Sequence, residues 1–127
     1  MADDFSRAPR SWTAKFCGAF RGLLVGTRRQ TSFAVHLVFT LAVVAAAGWL
    51  RVSRLEWCLL ILCIGVVLSA EMFNSALETL ARAIDTQYNR HLADGLDIAS
   101  AAVLLSAAGA ALCGLLILVP RVLGLFQ

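Results

Sequence analysis

Three apolar stretches separated by short charged segments leave this 127-residue chain few ways to fold. SFAVHLVFTLAVVAAAGWL (Ser32–Leu50) contains His36 but no formal charge, while WCLLILCIGVVLSA (Trp57–Ala70) and IASAAVLLSAAGAALCGLLILV (Ile98–Val119) contain no charge at all. A helix needs about 20 apolar residues to cross roughly 30 Å of hydrocarbon, so the first and third stretches qualify alone. The second has fourteen residues. At about 1.5 Å per residue these rise only about 21 Å. To span, this segment must take Met72, Phe73 and Ala76 into its last turns, which puts Glu71 and Asn74 at the bilayer's edge. A composition that is 60% hydrophobic and 15% charged fits a membrane protein and argues against a soluble domain. The expected fold is an all-α membrane protein in a single unit over residues 1–127. Its parts are an amphipathic surface helix at 11–30 and spans at 32–50, 56–85 (with a cytoplasmic extension) and 97–119.

Three spans put the N-terminus and the segment between spans two and three on one side. Eight Lys and Arg residues lie there (Arg7, Arg10, Lys15, Arg21, Arg28, Arg29, Arg82, Arg90), against Arg51, Arg54 and Arg121 on the other. The positive-inside tendency therefore predicts a cytoplasmic N-terminus. Within Ser11–Gln30, Trp12, Phe16, Ala19, Phe20 and Leu23 share one helical stripe, and Lys15, Arg21, Arg28 and Arg29 take the other half. Such a helix suits the interface of an anionic membrane; the alternative is a helix packed on a partner. Cys17, Cys58, Cys63 and Cys113 show no CxxC spacing and read as small apolar fillers. MADDFSRAPR lacks the pattern of a secretory signal, so the N-terminus is expected to be retained.

The second span ends in EMFNSALETLARAID. At 100° per residue Glu71, Asn74, Glu78, Arg82 and Asp85 fall within about 80° of arc, which predicts one continuous helix leaving the bilayer with a single polar stripe. A solvated helix end explains Arg82 and Asp85. It explains Glu71 poorly, because ionisable groups at membrane depth are costly and commonly do chemistry. A carboxylate at the boundary of water and hydrocarbon is placed to act as a general base on a lipid alcohol. Glu78, two turns nearer the cytoplasm, could hold Mg²⁺ beside a nucleotide's phosphates, and Asn74 could orient either carboxylate. The following segment, Asp85–Asp97, reads as a loop carrying Arg90 and His91 as candidate phosphate contacts. No GxxxxGK[ST] or GxGxxG occurs, so any phosphoryl transfer must use an unrelated architecture.

EMFNSALE at Glu71–Glu78, followed by LDIASAAVLL at Leu96–Leu105, resembles the pattern E-x-x-N-[ST]-A-[IL]-E … K-D-x-x-[AS]-A-A-V-L of the prokaryotic diacylglycerol kinase and undecaprenol kinase family. Gly22-Leu23, Ser32-Phe33 and Trp49-Leu50 extend the resemblance over nearly the whole chain. The resemblance implies a three-span, homotrimeric lipid kinase of the bacterial inner membrane that uses ATP and Mg²⁺, with no nucleic-acid partner. Carried over by position, Glu71 matches the catalytic base, Asn74 the active-site amide and Glu78 the metal and ATP ligand. Asp97, Gln87, Tyr88 and Asn89 match nucleotide contacts, and Trp49 and Ser100 match positions facing the lipid substrate. A small-residue stripe on the third span (Ala102, Ser106, Ala110, Gly114) is consistent with close packing in a trimer.

Three positions depart from the pattern. Gln30 stands at the family's second metal-binding Glu, Leu96 at its Lys and Arg82 at an Asp. Gln30 still offers a neutral oxygen to a metal, and Arg82, Arg90 or Arg29 could supply the missing cation. The expected activity is ATP- and Mg²⁺-dependent phosphorylation of a diacylglycerol-like lipid alcohol. The alternatives are undecaprenol as acceptor, or a catalytically degenerate protein that binds nucleotide or lipid. A small transporter subunit has little support, because the polar residues gather at one interface and line no path.

Overall fold

The computed structural model describes residues 11–28, 31–85 and 87–126. These form four α-helices in chain order: α1 (Trp12–Arg28), α2 (Thr31–Trp49), α3 (Arg54–Ile84) and α4 (Arg90–Leu123), the last running into a short 3₁₀ turn at Gly124–Phe126. No strand occurs among the described residues. Helices α2, α3 and α4 are each long and apolar enough to cross a membrane. At about 1.5 Å per residue, the 31 residues of α3 rise roughly 46 Å, well beyond a hydrocarbon core. The polar stripe therefore lies on a helix that outruns the apolar layer.

Each helix boundary has a local cause. At the end of α2, Val52 N–H donates to the Ala47 carbonyl (3.2 Å) and Arg51 N–H to that of Gly48 (3.3 Å), with Arg51 at φ 50°. This is a Schellman closure whose left-handed position is filled by an arginine instead of the usual glycine. The two residues that such a motif brings together, Val52 and Ala47, are buried and join the core cluster with Leu60 and Ile117. Ser53 and Glu56 then form a capping box that starts α3. Arg121 of α4 reaches this corner, bonding both carboxylate oxygens of Glu56 (3.1 and 2.5 Å) and the Arg51 carbonyl (3.2 Å). One cationic side chain thus ties the α2–α3 turn to the end of α4.

The opposite turn differs from the loop expected at Asp85–Asp97. Helix α4 begins at Arg90, because the Asn89 side chain caps it by accepting from the His91 and Leu92 N–H groups (3.0 and 3.4 Å). Helix α3 packs along α4 and, less extensively, against α2, while α1 meets α3 through its last turn. There Gly26 approaches Met72 so closely that a Cβ would lie 2.8 Å from the Met72 sulfur and methyl carbon. The aromatic stripe of α1 (Trp12, Phe16, Phe20) remains exposed. The small-residue stripe of α4 is used within the chain. Ala110 and Gly114 line a cavity with Leu60 and Cys63 of α3, and Ala102 and Ser106 line a groove with Asn74.

Candidate functional site

The polar stripe of α3 divides into two groups with different partners. Glu71 has 1% of its surface exposed and is the most deeply buried large side chain described. Both of its oxygens accept from the Ser32 hydroxyl at 3.0 Å. His36 Nε2 also lies 3.0 Å from Oε1. Ser32 and His36 are four residues apart, so α2 presents both on one face, one turn above the other. Ser32 lies in the first described turn of α2, so that end of the helix stands beside this carboxylate.

The second group runs from buried Asn74 through half-buried Glu78 to exposed Arg82. Asn74 Nδ2 donates to Glu78 Oε1 (3.2 Å), and Arg82 donates to Oε2 of the same carboxylate (3.0 Å). The buried Asn74 Oδ1 has no hydrogen-bond partner among the described residues. An unpartnered buried amide oxygen beside a carboxylate offers two hard oxygen donors one turn apart. Among the described residues no group of three or more His, Cys, Asp or Glu converges as a metal centre. A divalent ion here would take most of its ligands from phosphates and water, as Mg²⁺ commonly does.

The remaining sequence-predicted residues are distributed around this stripe. Ala99 of α4 and Asn74 line the same groove, which places the exposed Asp97 and Ser100 beside the Asn74 level. The Ser100 hydroxyl is turned back onto the Leu96 carbonyl (2.9 Å). Tyr88 is 86% exposed, and the Gln87 N–H closes a turn on the Asp85 carboxylate (2.9 Å). Asn89 is occupied as a helix cap. Trp49 is exposed at the far end of α2. Thirteen residues separate it from His36, which amounts to roughly 20 Å of helix, so the structure does not bring Trp49 to Glu71 within one chain. Gln30 lies outside the described residues.

Two residues that reasoning from the sequence left without a role enter the site, His36 and Ser32. A signal for them exists. His36 is the one ionisable group in the first apolar stretch, and Ser32 precedes it by one turn. From His36 an apolar cavity of about 450 Å³ extends between α2, α3 and α4, past Phe39, Val43, Leu60 and Val67 to Leu118. The site therefore joins a buried carboxylate, a hydrocarbon-lined space and a more exposed carboxylate two turns along the same helix.

Comparison with known proteins gives the family of the chain as a whole. Residues 18–118 match the family model described as prokaryotic diacylglycerol kinase. An undecaprenol kinase of Bacillus subtilis (strain 168) is 29% identical over 106 residues, covering 84% of this chain and 86% of that protein.

Proposed function

The chain belongs to the prokaryotic diacylglycerol kinase family and is a membrane lipid kinase; from that premise we propose that it transfers the γ-phosphoryl group of ATP to a lipid alcohol, with Glu71 as general base. The observation that carries this reading is the buried Glu71, held by Ser32 and His36 on the helix that also bears Glu78. A carboxylate is costly at such a place unless it is used. Glu71 and Glu78 are seven residues apart, about 10 Å along the helix. That is the length of a line from base to hydroxyl to phosphorus to metal in which each link is about 3 Å.

In this reading Glu71 accepts the proton of the lipid hydroxyl, whose oxygen attacks the γ-phosphorus while the bond to ADP breaks. Glu78 and Asn74 Oδ1 are the residues that would hold Mg²⁺, with Gln30 as a further neutral oxygen. The bound ion would neutralise phosphate charge. Asn74 steers Glu78 through its amide N–H, and Arg82 stands where it can exchange Glu78 for a phosphate oxygen. Asp97, Gln87, Tyr88 and Asn89 would contact the nucleotide, and Ser100 and Trp49 the lipid. A trimer in the bacterial inner membrane, with the N-terminus and the α3–α4 turn in the cytoplasm, would place ATP on the correct side, and α1 would lie on that face.

The acceptor is a diacylglycerol-like alcohol in the first reading. The name of the Bacillus relative favours a second, undecaprenol. The cavity leading from His36 is lined by hydrocarbon side chains and suits either tail. The test is phosphate transfer from ATP by the purified chain in mixed micelles, with diacylglycerol and undecaprenol offered separately and then together. Transfer to one that the other fails to suppress names the acceptor. Transfer to neither, with Mg²⁺ present and the protein folded, refutes the proposal.

A further inference from the structure

The two oxygens of Glu71 are unequally served. The single proton of the Ser32 hydroxyl is shared between them at 3.0 Å to each, whereas His36 Nε2 meets only Oε1, also at 3.0 Å. Among the described residues Oε1 thus has two neighbours and Oε2 a share of one. We infer that His36 is a positioning residue for Glu71: it donates from Nε2 to Oε1 and so reserves Oε2 for the acceptor hydroxyl. This rests on Glu71 being the base proposed above.

The chemistry requires a definite tautomer. An imidazole with its proton on Nε2 donates to the carboxylate, and the same bond persists when Glu71 becomes neutral, because Oε1 is then a carbonyl oxygen. The acceptor's O–H proton goes to Oε2, and its electron pair forms the bond to the γ-phosphorus. The bond from that phosphorus to the ADP oxygen breaks, with its pair leaving on ADP. No polar group near Oε1 is orphaned at any stage, so proton uptake costs no hydrogen bond there. The opposite arrangement, a protonated Glu71 donating to a bare Nε2, would leave the carboxyl unable to accept a proton.

His36 also lines the apolar cavity with Phe39, Thr40 and Val43, which fixes its ring between the hydrocarbon space and the carboxylate. The neighbouring residues from α3 and α4, including Leu60, Val67 and Ala110, are apolar, so Glu71 is the polar partner that the structure gives the ring.

The test uses the full chain in detergent micelles with ¹⁵N-labelled histidine, and H91Q assigns the other ring. Nitrogen shifts showing a proton on Nε2 of His36 are expected; a bare Nε2 with the proton on Nδ1 overturns the inference. Kinetics give a second reading. H36F should lower kcat about ten- to hundredfold with both KM values within about twofold, as loss of a base-orienting contact does. H36Q, whose amide N–H can replace Nε2–H, should recover most of that loss. An H36F enzyme with unchanged kcat, or a folded H36Q no better than H36F, overturns the inference. A wild-type chain that phosphorylates no lipid alcohol refutes the kinase reading instead, and the tautomer still decides between the two arrangements of the pair.

Discussion

Replacing Glu71 separates its chemical role from its structural one. In Glu71→Gln the amide oxygen can still accept from His36, and the amide N–H₂ can donate to the Ser32 oxygen, so both contacts with α2 survive. What disappears is a group able to accept a proton. General-base catalysis contributes about 10²- to 10⁴-fold, or roughly 2.7 to 5.5 kcal/mol of barrier, and kcat should fall by that factor with Tm within a few degrees of wild type. Glu71→Ala removes the contacts as well. Hydrogen bonds to charged groups contribute about 1.5–3 kcal/mol in soluble proteins, whereas interhelical ones in membranes average nearer 0.6. The alanine variant should therefore lose about 1–3 kcal/mol of stability beyond the glutamine variant. ADP release coupled to a reporter enzyme measures the first effect, and thermal unfolding in the same detergent the second. A Glu71→Gln enzyme that keeps more than a tenth of wild-type kcat, with its fold intact, would remove Glu71 from the role of base.

Glu78→Gln keeps an oxygen for Asn74 but loses the charge that meets Arg82; transfer should vanish, and added Mg²⁺ should not restore it. Arg51→Gly should stabilise the chain by about 0.5–1 kcal/mol, since a non-glycine residue at positive φ costs about 1–2 kcal/mol and glycine's extra chain entropy returns part of the gain. A fall in Tm would show that the arginine side chain has a role the backbone does not reveal. Asn89→Ala should cost about 1 kcal/mol through the lost cap, and Asn89→Ser should recover most of it. If Asn89 acts on the nucleotide instead, KM for ATP will rise in both variants and Tm will move in neither.

The stripe on α3 was legible because a helix imposes its own period: the same spacing that groups Glu71, Asn74 and Glu78 on paper places Glu78 within reach of Asn74 and Arg82. The cost of a carboxylate at membrane depth likewise singled out Glu71 as more than a solvated helix end. What a period within one helix cannot give is the partner on another, which is why Ser32 and His36 emerge only when α2 is docked. Position along the chain misled at one place. The segment after Asp85 looks polar enough to be loop, yet Asn89 satisfies the first N–H groups of a helix and lets Arg90 begin one.

The same geometry bears on why the helices associate at all. Most large apolar side chains of the three long helices face outward, among them Phe39, Leu62, Leu104 and Leu116. In hydrocarbon such faces gain nothing by meeting one another, so close packing and polar contacts must hold the helices together. The described contacts place two polar clamps along α3: Arg121 with Glu56 and Arg51 at its start, where the apolar core also lies, and Ser32 and His36 with Glu71 just past its middle. The first clamp has only packing to serve. The second carries the proposed base, and buried polar pairs contribute little net stability over apolar replacements of similar volume. The variant Glu71→Leu with His36→Leu should accordingly remain folded, with a Tm equal to or above wild type, while transfer is lost. Unfolding of that double variant would mean that the pair holds the helices together, and the burial of Glu71 would then stop being an argument for catalysis.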